Sequence, residues 1–458
     1  MLFHTWTFAL FFAIFYPVYL LVKGTRLKLP WLLLASYVFY GWWNPLYLIL
    51  IVWSTTIDYL AVVGMSKTFW KRPWLAMSLV NNLGLLGFFK YGGFAAENLT
   101  ALLAWLNVPY EVPAPDYLLP VGISFFVFQS MSYTIDYYRG QVQQEFNFIR
   151  YAAFVSLFPQ LVAGPIERAS NLLPQLHGNP RITRADWGDG LSLFVVGLFK
   201  KVALADYLAQ YVDAVYSAPS QYAGPALALA TFAFAWQIYF DFSGYTDMAR
   251  GIARVMGFRL MLNFNNPYLA TGLGDFWRRW HISLSTWFRD YVYIPLGGSR
   301  HGTFATYRNL CLTMLVSGLW HGAAWTFVIW GALHALGYSL TRALETSAVY
   351  RRQVPALLKQ AGTFLFVTFT WIFFRAENLA DARMIVAKIA AFGWEDPACP
   401  LLMLAMVAAI WFYQYLYESN ARRILRPAPV RIALVLLMLG YMAMFGTSSG
   451  QAFIYFQF

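Results

Sequence analysis

A histidine lies in the middle of a long uncharged run of the sequence. Residues 310–336 contain no Lys, Arg, Asp or Glu, and His321 is near the centre of this run. An ionisable group inside a bilayer is costly and usually faces a cavity, a partner or a pathway, which makes it a functional candidate by default. Imidazole titrates near neutral pH, which suits a general base. The alternative is a neutral histidine hydrogen-bonded between helices, and the run alone leaves both interpretations open.

The residues around His321 favour close packing. In a helix, Gly318 and Gly322 lie four residues apart, and small residues at this spacing let another backbone or a slim ligand approach. Ser317 is four residues before His321, within reach of its ring. His334 lies thirteen residues further on and points away from His321 at about 100° per residue. We therefore interpret His334 as a structural histidine.

The composition is that of a membrane protein. Of 458 residues, 59% are hydrophobic and 12% are charged, whereas soluble domains are roughly one quarter charged. A spanning helix needs about 20 mostly apolar residues, and such stretches predict about 10–12 transmembrane helices in an all-α polytopic fold. The two cysteines, Cys311 and Cys399, provide no metal or disulfide framework. We interpret Cys311 as a packing residue.

The net charge of +12 does not indicate nucleic-acid binding, because the basic residues lie in short loops between apolar runs. The positive-inside rule explains them better. Basic residues follow the first and third spans, whereas the turn between the second and third spans is uncharged. This alternation predicts an extracytoplasmic N-terminus. The basic residues in question are Lys23, Arg26, Lys28, Lys67, Lys71 and Arg72.

One polar segment interrupts the apolar pattern. Residues 241–306 contain seven arginines and four aspartates among many aromatic residues. Such a segment cannot simply span lipid, because irregular or polar backbone at membrane depth must be buried in protein or line a wet cavity. We expect in-plane or re-entrant helices here. Because no linker or repeat divides the chain, residues 1–458 are predicted to form a single domain.

Several long motifs resemble one known family. They are YFDFSGYTDMARG (239–251), FWRRWHISLSTWFRDYVYIPLGG (276–298), LWHGAAWTFVIWG (319–331), FPQLVAGPIER (158–168), LFKKVALADYL (198–208) and FIYFQF (453–458). Together they resemble the membrane-bound O-acyltransferase family, in its bacterial alginate O-acetyltransferase branch. The likeness extends over nearly the whole chain.

The resemblance implies a fold and two site residues. Members of the family form a ring of helices around a thinned centre, where a cytoplasmic and an extracytoplasmic funnel meet. The histidine of the Trp-His-Gly motif is catalytic in this family, which implies that role for His321. An upstream histidine or asparagine supports it, which implies a supporting role for His281.

The resemblance also implies a function. The expected reaction moves acetyl groups from cytosolic acetyl-CoA, a substrate and not a resident cofactor, across the bacterial inner membrane. On the far side the acetyl groups are used for O-acetylation of an exported polysaccharide. Alginate is the preferred polymer, and cellulose or another polymer is the alternative. The expected partners are periplasmic or membrane-anchored acetyltransferases and acceptor proteins of the same polysaccharide system.

Acyl transfer to a hydroxyl needs a base and a site for the developing oxyanion. His321 is predicted to take the acceptor's proton, and His281 to donate to the oxyanion or to position the thioester. A rival scheme uses Ser317 as a nucleophile activated by His321. It lacks a carboxylate nearby in sequence, and Asp241 or Asp247 would have to supply one, although both are expected to pair with arginines.

Coenzyme A carries phosphates, which bind basic groups. Arg278 and Arg279 precede His281 by three and two residues and are the preferred phosphate ligands, with Trp277 and Trp280 as the wall of a donor tunnel. The full set of basic candidates is Arg278, Arg279, Arg289, Lys200 and Lys201. Each is equally well explained as an anchor to lipid headgroups. No metal site is predicted.

A transporter of a polymer or acyl carrier is the alternative function, with His321 in a proton relay. Many spans and an intramembrane histidine fit it equally well. Transporters commonly contain repeated halves with discontinuous helices, and the sequence shows no such repeat.

Overall fold

The fold is described by a computed structural model, which covers residues 1–115, 117, 119–425, 427–445 and 453–454. Across these residues the chain forms α-helices, short 3₁₀ and π-helical turns, and no β-strand. The predicted all-α polytopic class is confirmed.

Twenty α-helices occur in this part of the chain. The first ten are α1 Trp6–Val22, α2 Lys28–Gly41, α3 Leu48–Lys67, α4 Lys71–Trp105, α5 Ile123–Tyr138, α6 Phe148–Ser156, α7 Phe158–Leu161, α8 Ala169–His177, α9 Arg184–Phe199 and α10 Asp206–Tyr216. The others are α11 Gly224–Val255, α12 Leu273–Arg279, α13 Ile282–Phe288, α14 Gly302–His321, α15 Trp325–Leu344, α16 Ala348–Arg352, α17 Ala356–Arg375, α18 Leu379–Ala391, α19 Leu401–Glu418 and α20 Ala428–Phe445. Two π-helical turns, Lys200–Ala205 and Arg289–Tyr293, flank functional candidates.

Five helical segments of the described chain are long and apolar enough to cross a membrane. They are Pro45–Lys67, Gly224–Val255, Ala356–Arg375, Leu401–Glu418 and Ala428–Phe445, and Trp6–Val22 is a shorter apolar helix. The chain is therefore a multi-pass membrane protein. The larger number of spans expected from the sequence stays a prediction.

The chain divides into two compact units. The first comprises residues 1–194 and 246–261, and the second comprises residues 195–245 and 262–458 as far as they are described. Because α9 and α11 each contribute residues to both units, no linker separates them. The expectation of a single domain stays a prediction.

A buried carboxylate organises the first unit. Asp58, in the middle of α3, is fully buried. It accepts hydrogen bonds from Ser78 (2.6 Å) and Asn82 (2.9 Å) of α4, and from Ser130 of α5. Since a buried charge is tolerated only where it is hydrogen-bonded or paired, this network explains how an acidic residue lies within an apolar helix.

Large aromatic side chains fill the core of the second unit. Trp236, Trp280, Trp330 and Trp371 are all completely buried. The rings of Trp330 and Trp371 stack 5.9 Å apart, and Trp280 lies 5.2 Å from Trp371. This core surrounds both candidate histidines.

The polar segment predicted at residues 241–306 begins later in the structure than the sequence suggests. Its first fifteen residues continue α11, because the charge of Asp241 is neutralised by Lys201 and the helix stays buried. Two short helices follow, α12 and α13, of seven residues each. Such helices are about 10 Å long and cannot cross an apolar core of about 30 Å. Their in-plane orientation stays a prediction.

Glycines bring α14 and α15 together. A Cβ atom on Gly318 would collide with the carbonyl oxygen of Phe327, and one on Gly322 would collide with the Phe327 ring. The predicted close backbone approach is confirmed at Gly318, whereas the close neighbour of Gly322 is a side-chain ring. Cys311, two turns earlier on α14, is exposed, so its interpretation as a packing residue is wrong.

Candidate active site

The structure brings the two predicted histidines together. His321 is the last residue of α14, and His281 directly precedes α13. Their ring centroids are 6.5 Å apart, and the residues are 2% and 0% exposed, respectively. Forty residues separate them in sequence, and α13, the π-helical turn Arg289–Tyr293 and α14 bring them together.

A fixed hydrogen bond orients His281. Its Nδ1 lies 3.2 Å from Oδ1 of Asn263. The same oxygen accepts hydrogen bonds from the backbone N–H of Ser283 (3.1 Å) and from its hydroxyl (3.0 Å). Because the Ser283 N–H can only donate, the atom that faces His281 must be the amide oxygen, and Nδ1 must carry the proton.

This geometry changes the role expected for His281. Burial lowers the pKa of His281 to about 3, so the ring is neutral near pH 7. With the proton on Nδ1, Nε2 is a hydrogen-bond acceptor. His281 is therefore placed to accept a hydrogen bond from a reactant rather than to donate one to an oxyanion. Its backbone also has a left-handed φ of 43°, a strained conformation of the kind found at functional sites.

Aromatic rings enclose His321. Its ring lies 5.0 Å from those of Trp320 and Trp330 and 5.4 Å from that of Phe374. These rings and its position at the end of α14 leave His321 buried.

Trp330 adds a hydrogen-bond donor beside His321. Within the described part of the chain, its buried indole Nε1 has no hydrogen-bond partner. An indole N–H can only donate, and leaving a buried donor unsatisfied costs about 1–3 kcal/mol.

A cavity of about 430 Å³ lies between α12, α13, α14 and α15, and its lining residues include neither histidine. Arg278, Arg289 and Arg342 line it, together with Tyr338 and Trp277. The three arginines come from α12, from the π-helical turn after α13, and from α15. The cavity is therefore cationic and of a size that suits a small-molecule ligand.

Two residues of the cavity wall are near the histidines in the chain. Ile282, which follows His281, and Ser317 both belong to its wall. Ser317 precedes His321 by one helical turn, a rise of about 6 Å. Trp277 of the wall also contacts Trp330, which in turn contacts His321.

The other basic candidates have different surroundings. Arg279 is held by Asp275 (3.2 Å) and Glu418 (2.7 Å). Lys201 is buried and paired with two aspartates, and Lys200 lies 5.8 Å from the centre of the Tyr239 ring. Of the five basic residues predicted to bind coenzyme A, the structure thus brings Arg278 and Arg289 to the cavity. Trp277 forms part of its wall as expected, whereas Trp280 belongs to the aromatic core.

The two aspartates considered for a serine-nucleophile scheme have other partners. Asp241 pairs with Lys201 at 2.8 Å, a lysine rather than the arginine expected. Asp247 pairs with Arg250 at 3.4 Å. These contacts disfavour a triad built on Ser317 and His321.

The profile of the membrane-bound O-acyltransferase family matches residues 139–380, more than half of the chain. This range contains both histidines and the whole arginine-lined cavity. The chain belongs to this family. It is an O-acyltransferase, and this assignment is preferred to the alternative function of a transporter.

Three relatives illustrate the family membership. A probable alginate O-acetylase of Pseudomonas aeruginosa is 44% identical, over 84% of this chain and 75% of that protein. A probable alginate O-acetylase of Pseudomonas putida is 39% identical over 98% of both chains. A peptidoglycan O-acetyltransferase of Helicobacter pylori is 34% identical, over 93% of this chain and 91% of that protein.

His334 makes packing and hydrogen-bond contacts near the two histidines. Its Nε2 lies 3.0 Å from the Thr370 hydroxyl of α17, and its ring is 4.5 Å from that of Trp330. This contact agrees with the prediction that His334 is a structural histidine. The helical angle between His321 and His334, on which the prediction was based, is wrong, since α14 ends at His321 and one continuous helix does not connect the two histidines.

Sequence reasoning missed three residues of the site. Asn263 lies in an irregular stretch eighteen residues before His281, where no periodicity indicates a contact. Trp330 and Arg342 follow the Trp-His-Gly motif by nine or more residues on α15. Their apolar or terminal positions are typical of ordinary membrane helices, and only the turn of the chain after His321 brings them to the site.

Proposed function

We propose that this O-acyltransferase moves acetyl groups from cytosolic acetyl-CoA across the bacterial inner membrane for O-acetylation of an exported polysaccharide. The two alginate relatives, at 44% and 39% identity, favour alginate, and the peptidoglycan relative at 34% supports the wider class of cell-envelope polysaccharides. Periplasmic or membrane-anchored acceptor proteins of the same polysaccharide system are the proposed partners.

The arginine-lined cavity, whose wall includes the chain neighbour of His281 and a residue one turn before His321, is the observation that supports an acyl-CoA donor most directly. Coenzyme A carries phosphates on one end and the reactive thioester on the other. Arg278, which also lies 3.6 Å from Asp275, and Arg342 would bind phosphate oxygens, because guanidinium groups bind phosphate in a forked geometry. The slim pantetheine arm then extends along the wall formed by Trp277 and Ser317 toward His321.

In the proposed reaction, His321 takes the proton of the acceptor hydroxyl while the hydroxyl oxygen attacks the thioester carbonyl carbon. The C–S bond then breaks, and the proton passes to the leaving thiolate. The products are an acetyl ester and free coenzyme A. The Trp330 N–H stabilises the oxyanion, and Nε2 of His281 accepts a hydrogen bond that positions one of the two reactants.

Steady-state kinetics of the purified protein with radiolabelled acetyl-CoA and a polysaccharide acceptor test the donor site. Replacing both Arg278 and Arg342 with Gln is expected to raise KM for acetyl-CoA about tenfold or more with little change in kcat, because phosphate binding is nearly the same in ground and transition states. Arg352→Gln, an exposed arginine of α16, is the matched control. An unchanged KM in the double variant would show that the donor binds elsewhere.

The acceptor polymer needs a separate test. The gene is deleted in its host, and the ester-linked acetate of each exported polymer is measured with and without complementation. Loss of acetate from alginate alone supports the alginate assignment, whereas loss from peptidoglycan contradicts it. Unchanged acetate on all polymers contradicts the proposed function.

A further inference from the structure

A buried ion-pair triad lies in the second unit, outside the acyl-transfer site. Nζ of Lys201 is 2.9 Å from Asp206 and 2.8 Å from Asp241, and the three residues are at most 3% exposed. Lys201 belongs to the π-helical turn that precedes α10. Removing charges from water costs several kcal/mol per ion even after relaxation, so a triad at this depth calls for a structural or functional explanation.

The triad holds a distant part of the chain. Oδ2 of Asp241 accepts a hydrogen bond of 2.7 Å from the backbone N–H of Ile454. Phe453 and Ile454 are 2% and 3% exposed. We call these two residues the 453–454 anchor; residues 455–458 of the same motif lie outside the described residues. A carboxylate that binds a backbone N–H fixes the main chain at this point, whatever side chain follows.

The anchor connects the triad to the histidine site. The Phe453 ring lies 5.0 Å from that of Tyr245 and 5.8 Å from that of Phe242. Phe242 directly follows Asp241 on α11, and its ring contacts the His281 ring edge-on at 4.6 Å. One turn of α11 thus binds the anchor through Asp241 and contacts His281 through Phe242.

We propose that Lys201 and Asp241 form a latch that docks the 453–454 anchor and so holds Phe242 against His281. Lys201 fixes one oxygen of Asp241, which leaves the other aimed at the Ile454 N–H. The docked Phe453 then packs its ring against Phe242 and Tyr245. All these residues act through position.

Docking of the 453–454 anchor does not depend on the proposed acetyl transfer. The effect of docking on activity rests on that proposed function. Cysteine labelling tests the docking. In a background with Cys311→Ser and Cys399→Ser, a Phe453→Cys reporter is labelled with a maleimide in detergent. Ile454→Pro removes the N–H that Asp241 binds and is expected to raise the labelling rate at least about tenfold. The matched control Ile454→Val keeps the N–H and should leave the rate unchanged.

A second variant guards against misfolding of the proline protein. Asp241→Asn keeps the side-chain shape but removes the charge that Lys201 holds, and it is also expected to speed labelling. Slow labelling of both variants, equal to that of the parent, would overturn the latch. Fast labelling of both supports docking regardless of whether any acetyl transfer is detected.

Kinetics then test positioning, with Phe453 intact. Ile454→Pro is expected to lower kcat about tenfold to a hundredfold, because small misplacements of a catalytic group cost rates of this size. KM for acetyl-CoA should stay the same, and Ile454→Val should retain the parent kcat. Faster labelling together with an unchanged kcat would overturn the positioning of His281. A parent protein without any transfer would instead overturn the proposed function and leave the labelling result valid.

Discussion

At the scale of single residues, His321 and His281 differ in what their surroundings allow. His321 lies among aromatic rings, whereas His281 is tied to Asn263 through Nδ1. The first arrangement favours a base, and the second favours an oriented hydrogen-bond acceptor. The two histidines are therefore expected to respond differently to substitution.

His321→Ala should insert and fold but lose acetyl transfer by about a hundredfold to ten-thousandfold, the usual contribution of general-base catalysis. His281→Ala should be impaired less, because a positioning contact is lost while the base remains. Turnover per folded protein is measured for both, with folding judged by size-exclusion profile and melting temperature. Normal turnover of His321→Ala would contradict its assignment as the base.

Trp330→Phe is expected to lower kcat about tenfold to a hundredfold with little change in KM, because the variant keeps an aromatic ring but lacks the N–H. A single oxyanion donor contributes up to about a hundredfold to a thousandfold in kcat. Trp371→Phe is the matched control, since it removes a buried indole N–H of the same core further from His321. Equal losses in the two variants would indicate a packing effect instead.

The sequence was sufficient to find the two histidines but not their environment. His321 was conspicuous because an ionisable group in an apolar run has few explanations, and family motifs pointed to His281. Lys200 and Lys201 look equivalent in sequence, yet Lys201 is buried in an ion-pair triad. Burial of one of two adjacent lysines depends on distant aspartates, which local patterns do not reveal.

At the scale of elements, the hairpin of α14 and α15 decides the geometry of the site. Apolar runs predict that helices are present here, but Gly322, Ala323 and Ala324 give no strong stop signal. The structure ends α14 at His321 and begins α15 at Trp325. This turn folds Trp330 back onto His321, a contact that a continuous helix would not make.

Gly318→Ala should disrupt this hairpin, because its Cβ would collide with the Phe327 carbonyl oxygen of α15. Overpacking of this kind typically costs about 1–3 kcal/mol. Gly362→Ala on α17 is the matched control: a Cβ there meets no atom within 4 Å, and replacing glycine in a helix stabilises by about 0.4–1 kcal/mol where the conformation suits alanine. Melting temperatures in detergent should fall for the first variant only. Equal values for both would show that the helices can separate at no cost.

At the scale of the whole molecule, sidedness determines which reactant reaches the site from which compartment. The proposed donor, acetyl-CoA, is cytosolic, whereas the proposed acceptor polysaccharide lies outside. The sequence predicts an extracytoplasmic N-terminus from the alternation of basic and uncharged turns. The structure ends α1 at Val22, α2 at Gly41 and α3 at Lys67, and the orientation of the N-terminus stays a prediction.

The orientation is tested by single cysteines in a background with Cys311→Ser and Cys399→Ser. Thr25, Trp43 and Phe69 are exposed residues in the first, second and third turns. Because Lys23, Arg26 and Lys67 flank the first and third turns, Thr25→Cys and Phe69→Cys should react with a membrane-impermeant maleimide only after the inner membrane is permeabilised. Trp43→Cys lies in the uncharged turn and should react in spheroplasts without permeabilisation. The reverse pattern would place the N-terminus in the cytoplasm and contradict the orientation inferred from charge.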